Sequence, residues 1–418
     1  MEQPKILLVN PPIFDFTAYD FWLRPYGMLR VAGQIKHACR LSYFNYLISK
    51  QRDAWGRGRF AGREIPKPNP LNDIPRKFRR FGRPRAEFRE FLAAQQFDAV
   101  LIQTSMTYWY RGIQEVIEDI RELQPSAKTV LGGIYATLCT SHAQSLGADL
   151  VVQGADLKPL WQLLSVEPKT GIPYWLSDEA GVGIIKITEG CPFHCTYCSA
   201  PLLWPGFVER PTAVCLNELH HLVAVGSRNV AFYDDALLFN ADRVLVPFLE
   251  EAIKANLQIS FHTPNALNAR FMTPELARLM VRAGFAGFFF GLESSAASWQ
   301  RSSGGKVYSD EFANAVDHLR SAGAKSIIAY IIAGHPDLDS GDVELSINFA
   351  HQCSTRVLLS EFSPIPGTVD GEKSKRWADL EEPLSHNKTA FAIRRLGVDS
   401  INELKTLTRT LNSQLVSV

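Results

Sequence analysis

The stretch GIIKITEGCPFHCTYCSAP, Gly183 to Pro201, joins a strand-like run to a loop that holds three cysteines. The run 183–188 is short, apolar and rich in β-branched residues, which suits a buried strand. Behind it, Cys191, Cys195 and Cys198 follow the spacing C-x3-C-x2-C. Thiolates this close together are soft ligands, suited to zinc or to an iron–sulfur cluster. A structural zinc site takes four protein ligands, usually in pairs. His194 lies inside the motif but does not fit zinc spacing, and Cys215 falls in a helical run, AVCLNELHHL. A [4Fe–4S] cluster normally has four cysteine ligands. Held by three, it keeps one iron open, and an open metal position is where a substrate or cosubstrate binds.

Working outward from this loop, strand-like runs recur at 229–233, 258–262, 285–291, 325–333 and 356–362, with helical segments between them. Together with 183–188 they predict a partial (β/α)6 barrel, whose active site sits at the C-terminal ends of its strands. Upstream, strand-like runs at 4–10, 42–48, 98–104, 128–131 and 149–152 alternate with helices at 27–38 and 112–123. That alternation predicts a doubly wound, Rossmann-like parallel sheet. The expected fold is therefore α/β. A Rossmann-like domain spans 1–156, with a basic, proline-containing insertion at about 51–92. A linker follows at 157–180, the partial barrel at 181–369, and a helical C-terminal extension at 370–418. In that extension Ile401, Leu404, Leu407, Leu411 and Leu415 fall at helical spacing, as on a helix packed against the body.

CPFHCTYCSAP resembles the signature of radical S-adenosylmethionine (SAM) enzymes, C-x3-C-x-aromatic-C, with Tyr197 as the aromatic. The resemblance extends over most of 180–370. It implies that Cys191, Cys195 and Cys198 hold the cluster and that the open iron chelates the amino and carboxylate groups of SAM. FYDDALLF (232–239) stands where the family binds the SAM amino group, commonly with Gly-Gly-Glu; this chain offers Asp234 and Asp235. GLESS (291–295) stands where the family binds the ribose, and points to Glu293. IIAGHPD (331–337) and SPIPGT (363–368) are similar to stretches of one large subclass, with His335 at a position often apolar there. His335 is a candidate proton donor or acceptor.

That subclass carries an N-terminal cobalamin-binding domain, and the first block resembles one. The residues that carry this are Asn10 in the NPP after the first strand, Ser105 and Thr107 after the third, and the pair Gly132–Gly133 after the fourth. Cobalamin domains often supply a cobalt-ligating histidine after the first strand. Here that stretch reads PPIFDFTAYDFWLRPYG and holds no histidine. Cobalamin remains a candidate cofactor without that lower ligand. The loop instead gathers Phe14, Phe16, Tyr19, Phe21, Trp22 and Tyr26, which suit either a wall for a flat apolar ligand or a core at the domain interface.

The family resemblance implies an oxygen-sensitive enzyme that cleaves SAM reductively and modifies an organic, small-molecule substrate. With cobalamin, methyl transfer is the implied outcome. Without it, hydrogen abstraction leads to rearrangement, dehydration, epimerisation or cyclisation. A non-enzymatic electron-transfer protein is a rival, but an electron carrier wants a closed four-cysteine site. A single cluster motif implies an external electron donor of flavodoxin or ferredoxin type. The formal net charge of +1 gives no global pull toward nucleic acid. No apolar run reaches the roughly 20 residues of a membrane span. The start, MEQPKILLVNPP, reads as a strand rather than a signal peptide, so a cytoplasmic chain without membrane or nucleic-acid partners is expected.

Overall fold

The computed structural model describes residues 3–174 and 181–415. The last part of the expected linker, 175–180, lies outside the described residues. The chain divides into two compact units, residues 1–176 with 380–387, and residues 177–379 with 388–418.

The first unit runs through β1 (Lys5–Asn10), β2 (Ile13–Asp15), β3 (Tyr19–Asp20) and β4 (Arg40–Asn45), then β5 (Gly58–Arg59), β6 (Gly62–Glu64) and β7 (Arg79–Phe81), and ends with β8 (Ala99–Thr104), β9 (Lys128–Gly133) and β10 (Leu150–Val152). Its central sheet has the order β10-β9-β8-β1-β4, all parallel. This is the flavodoxin-like arrangement, and its strand order reverses between β1 and β8, where ligands of such sheets sit. The strands are apolar on both faces because helices cover both. Leu7, Val9 and Val100 pack to one side with Ile113 and Ile117, while Ile6, Leu8 and Leu101 pack to the other with Ala32 and Ile35.

The insertion packs into the first unit. β7 pairs antiparallel with both β2 and β6, and β3 pairs with β5. Phe60, Leu71, Ile74, Phe78, Phe81 and Phe88 are buried. Its arginines meet acids on the helix Tyr110–Leu123. Buried Arg80 sets Nη2 2.6 Å from Glu115 Oε1, and Arg85 and Arg89 both reach fully buried Asp119. The basic run is thus largely neutralised within its own unit.

In the second unit β11 (Val182–Ile185) leads into β12 (Thr188–Glu189), which pairs with β13 (Val208–Glu209). Then come β14 (Asn229–Phe232), β15 (Ser260–His262), β16 (Phe285–Glu293), β17 (Ile327–Ala333) and β18 (Arg356–Glu361). Strands β11-β14-β15-β16-β17-β18 form one six-stranded parallel sheet in sequence order, an open partial barrel. Phe232, Phe261 and Phe285 pack ring against ring, Phe232 and Phe285 stacked and Phe261 tilted against both. The helix Val398–Gln414 covers the edge strand: Asn412 accepts from Val357 N and donates to Val357 O. An edge covered this way offers no template for another strand.

Candidate active site

The cysteine loop follows β12 at the C-terminal end of the sheet. Gly190 starts it with φ +73°, and a Cβ there would lie 1.9 Å from Gly206 O, so only glycine fits. Cys195 is buried, Cys191 and Cys198 are half-buried, and His194 is exposed. Burial pushes all three thiols up, each feels a neighbouring thiol of the set, and Lys306 pulls all three down. Among the described residues no three His, Cys, Asp or Glu side chains converge on a single metal ion.

Two braces hold the loop. Thr196 N donates to Ser303 O, and Gly304 (φ +110°) lies so close that a Cβ would be 3.1 Å from Cys195 Cα. On the other side Asp370 N donates to Thr196 O at 3.0 Å, and Thr196 Oγ1 donates back to the Asp370 carboxylate. SPIPGT makes this brace. Thr368 caps the helix Val369–Lys373, and Gly371 has no room for a Cβ beside Ile365 O. Asp370 thereby faces the cysteine loop.

His335 belongs to the same brace. Its ring is fully buried. Nδ1 accepts from Trp299 Nε1 and from Asp337 N, so the ring proton sits on Nε2 and is donated to Asp370 Oδ2 at 3.0 Å. Burial raises the Asp370 carboxyl, but hydrogen bonds from His335, Thr196 and Lys373 outweigh it and hold it at about 2. Tyr197 stacks on Trp299, ring centroids 5.6 Å apart, and hydrogen-bonds Cys195. His335 therefore reaches the cysteine loop through Asp370 and Trp299, with both ring nitrogens occupied.

The two aspartates after β14 have different surroundings. Asp234 is buried, and its Oδ1 accepts from Ile187 N, Thr188 N and Thr188 Oγ1. Its Oδ2 is buried and has no hydrogen-bond partner among the described residues. Burial raises its carboxyl to about 6 against those hydrogen bonds and Lys186. Asp235 is more open, pairs with Lys186 at 3.5 Å, and acts electrostatically on Cys191 and Cys198.

Glu293 sits at a bulge ending β16 in a left-handed conformation, φ +64°. A non-glycine residue held there carries strain of about 1–3 kcal/mol, a common mark of a functional position. Its Oε1 lies 3.7 Å from Lys306 Nζ. A Cβ on Gly291 would be 2.4 Å from that oxygen and 2.8 Å from that nitrogen. Burial lowers Lys306, but Glu293 and the three cysteines more than offset it, so the ammonium stays charged. Burial raises Glu293, with Lys306 opposing.

The structure thus gathers Cys191, Cys195, Cys198, Tyr197, Asp235 and Glu293 in one neighbourhood, with Asp234 and His335 behind it. Sequence reading missed Lys306, Ser303, Gly304, Trp299 and Asp370. The run SGGK (303–306) carried a signal, a glycine pair beside a lysine. Asp370 carried none, because its partner Thr196 is 174 residues away.

The other predicted residues lie in the first unit. Asn10 is buried and donates to Asn45 Oδ1. Thr107 is buried against His386 Nδ1 at 3.0 Å. Gly133 (φ +116°) would set a Cβ 2.4 Å from Thr104 O, whereas Gly132 has ordinary room. Ser105 lines a small cleft at the β1/β8 switch point with Asn10, Arg24, Gln103 and Trp109. In the aromatic loop Phe14, Phe16, Trp22 and Tyr26 are buried within the unit and only Tyr19 is well exposed, at 56%. These residues do not fit a corrinoid: Asn10 and Thr107 bond to Asn45 and His386 of the same unit, and Ser105 lines only a small cleft.

Residues 185–350 match the Radical SAM superfamily. An uncharacterised methyltransferase of Pyrococcus horikoshii, PH0819, is 26% identical over 199 residues, covering 46% of this chain and 42% of that protein. The methyltransferase TsrM from Kitasatospora setae, solved with tryptophan substrate and a SAM analogue, superposes with a TM-score of 0.70 at 14% identity, over 98% of this chain and 89% of that one. The cobalamin-dependent SAM radical enzyme OxsB superposes with a TM-score of 0.60 at 11% identity, over 98% of this chain and 61% of that one. The chain spans about half the length of the curated relatives it matches. The matching stretch lies within the second unit. Over nearly its whole length the chain shares the fold of TsrM and OxsB. No helix among the described residues is long and apolar enough to cross a membrane.

Proposed function

We propose that this protein is an enzyme that cleaves SAM reductively at a [4Fe–4S] cluster and modifies a small organic substrate. The observation that carries the reading is the three-cysteine loop braced beside a half-buried ammonium, Lys306, and a half-buried carboxylate, Asp235. When bound, the cluster supplies one electron that splits SAM into methionine and a 5′-deoxyadenosyl radical, which takes a hydrogen atom from the substrate. Cys191, Cys195 and Cys198 hold the cluster. Asp235 takes the SAM ammonium, as a charge-assisted hydrogen bond. Glu293 takes a ribose hydroxyl, and Lys306 balances the negative charge of thiolates and carboxylate. Tyr197 and Asp234 fix the loop and the aspartate turn. His335 holds its proton on Nε2 toward Asp370 and so positions the loop.

A small-molecule substrate is supported by TsrM, whose structure holds tryptophan. The electron comes from an external flavodoxin or ferredoxin type of donor, and a reducing cytoplasm suits seven free cysteines. The test is anaerobic reconstitution with iron and sulfide, then dithionite and SAM. Formation of 5′-deoxyadenosine is expected, and its loss in Cys195→Ala. Full SAM cleavage by that variant would overturn the assignment.

A further inference from the structure

The cobalamin-binding-like fold of the first unit invites a corrinoid, yet the edge that would receive it is built over by the chain. Ligands of this sheet type bind outside the carboxyl ends of the strands at the switch point, here between β1 and β8. β2 leaves the end of β1 and pairs with β7 of the insertion, so a small antiparallel sheet stands there. Arg80 of β7 is locked to Glu115 through bonds of 3.0 and 2.6 Å.

The segment 380–387 covers the same end. His386 accepts from Thr107 through Nδ1 and donates to Leu380 O through Nε2, each at 3.0 Å, so neither nitrogen is left for cobalt. Asn387 donates to Asp15 Oδ1 at 2.8 Å, and Trp109 donates to Asp15 Oδ2 at 2.9 Å. Tyr110 donates to Glu382. Thr107 and Asp15 are buried by these contacts. Displacing them would leave buried polar groups unpaired, at about 1–3 kcal/mol each.

We propose that the first unit is a scaffold sealed against a corrinoid, with a small cleft beside Asn10 and Ser105 left at the switch point, and that this chain works by hydrogen abstraction without methyl transfer through cobalt. The inference rests on the radical SAM reading above for its chemistry, and on the first unit alone for the absence of cobalamin. One electron from the external donor and one SAM give methionine and the 5′-deoxyadenosyl radical. That radical takes one hydrogen atom from a substrate C–H bond, giving 5′-deoxyadenosine and a substrate radical. No methyl group leaves SAM in this sequence. The likeness of fold to cobalamin-dependent enzymes does not carry the cofactor with it.

The test uses the full chain, produced anaerobically in cells supplied with hydroxocobalamin. Iron and cobalt are counted per chain, the visible spectrum is recorded, and Tm is measured with and without added hydroxocobalamin. A ligand of the folded state raises Tm. Iron without stoichiometric cobalt, no corrinoid absorption and an unchanged Tm are expected. Stoichiometric cobalt, or a Tm rise with cobalamin, overturns the proposal. Absence of iron and of SAM cleavage would instead overturn the radical reading, while the cobalt and Tm results would still decide whether the first unit is sealed.

Discussion

Asp234 and Asp235 are neighbours in sequence with different environments, and they should respond differently to the same change. Asp235→Asn removes the charge that faces the cysteines, and SAM binding should weaken by roughly the 1.5–3 kcal/mol of a charged hydrogen bond; equilibrium dialysis of the reconstituted protein measures this. Asp234→Asn leaves an oxygen to accept from Ile187 and Thr188. Because burial raises the Asp234 carboxyl to about 6, the folded state binds a proton that the unfolded state has released above pH ~4. Its contribution to stability is therefore full below the unfolded value and is lost as pH rises through about 6, an effect of at most about 3 kcal/mol. The variant should gain Tm relative to the parent at pH 8, and the gain should shrink at pH 5. A constant difference across pH would refute the buried, raised carboxyl. Lys306→Met removes a cation beside the thiolates, so the cluster should become harder to reduce, read as a more negative midpoint in an EPR-monitored titration.

At the scale of elements, the cysteine loop depends on a helix far along the chain. Asp370 is held near 2 by partners that outweigh its burial, so the brace contributes stability above the unfolded value near 4 and loses it as pH falls from there toward 2. Asp370→Asn leaves His335 and Lys373 facing a neutral amide, and breaking a buried charged network costs about 3–5 kcal/mol. Thr196→Val is gentler, about 1–3 kcal/mol for the buried bonds lost. It should leave the fold intact while lowering the iron retained per chain after anaerobic gel filtration. Undiminished iron would show that the Ser303–Gly304 side alone holds the loop.

For the whole molecule, the basic insertion tests how charge is used. Arg80→Met leaves Glu115 buried and unpaired and should destabilise the first unit by about 3–5 kcal/mol. The double variant with Glu115→Leu should recover much of that, as denaturant unfolding would show. Since Arg80, Arg85 and Arg89 face Glu115, Asp119 and Glu122, RNA binding steeply dependent on salt is not expected, and anisotropy titrations check it.

The linear chain determined both parallel sheets, because alternating apolar runs and helical spacing are local patterns, and it determined the cysteine loop, because C-x3-C-x2-C is a local motif. The insertion was legible only as a charge run. Its burial follows from β7 pairing with β2, which pattern alone does not reveal. The roles of single residues came from contacts between distant positions. Asp234 and Asp235 look alike in FYDDALLF, and only hydrogen bonds from Ile187 and Thr188 separate them. Asp370, Lys306 and the segment 380–387 gain meaning only where the fold sets them against Thr196, Glu293 and Thr107. Local sequence fixes periodicity and ligand spacing, while burial and hydrogen-bond partnership depend on which remote segments the packed chain brings within reach.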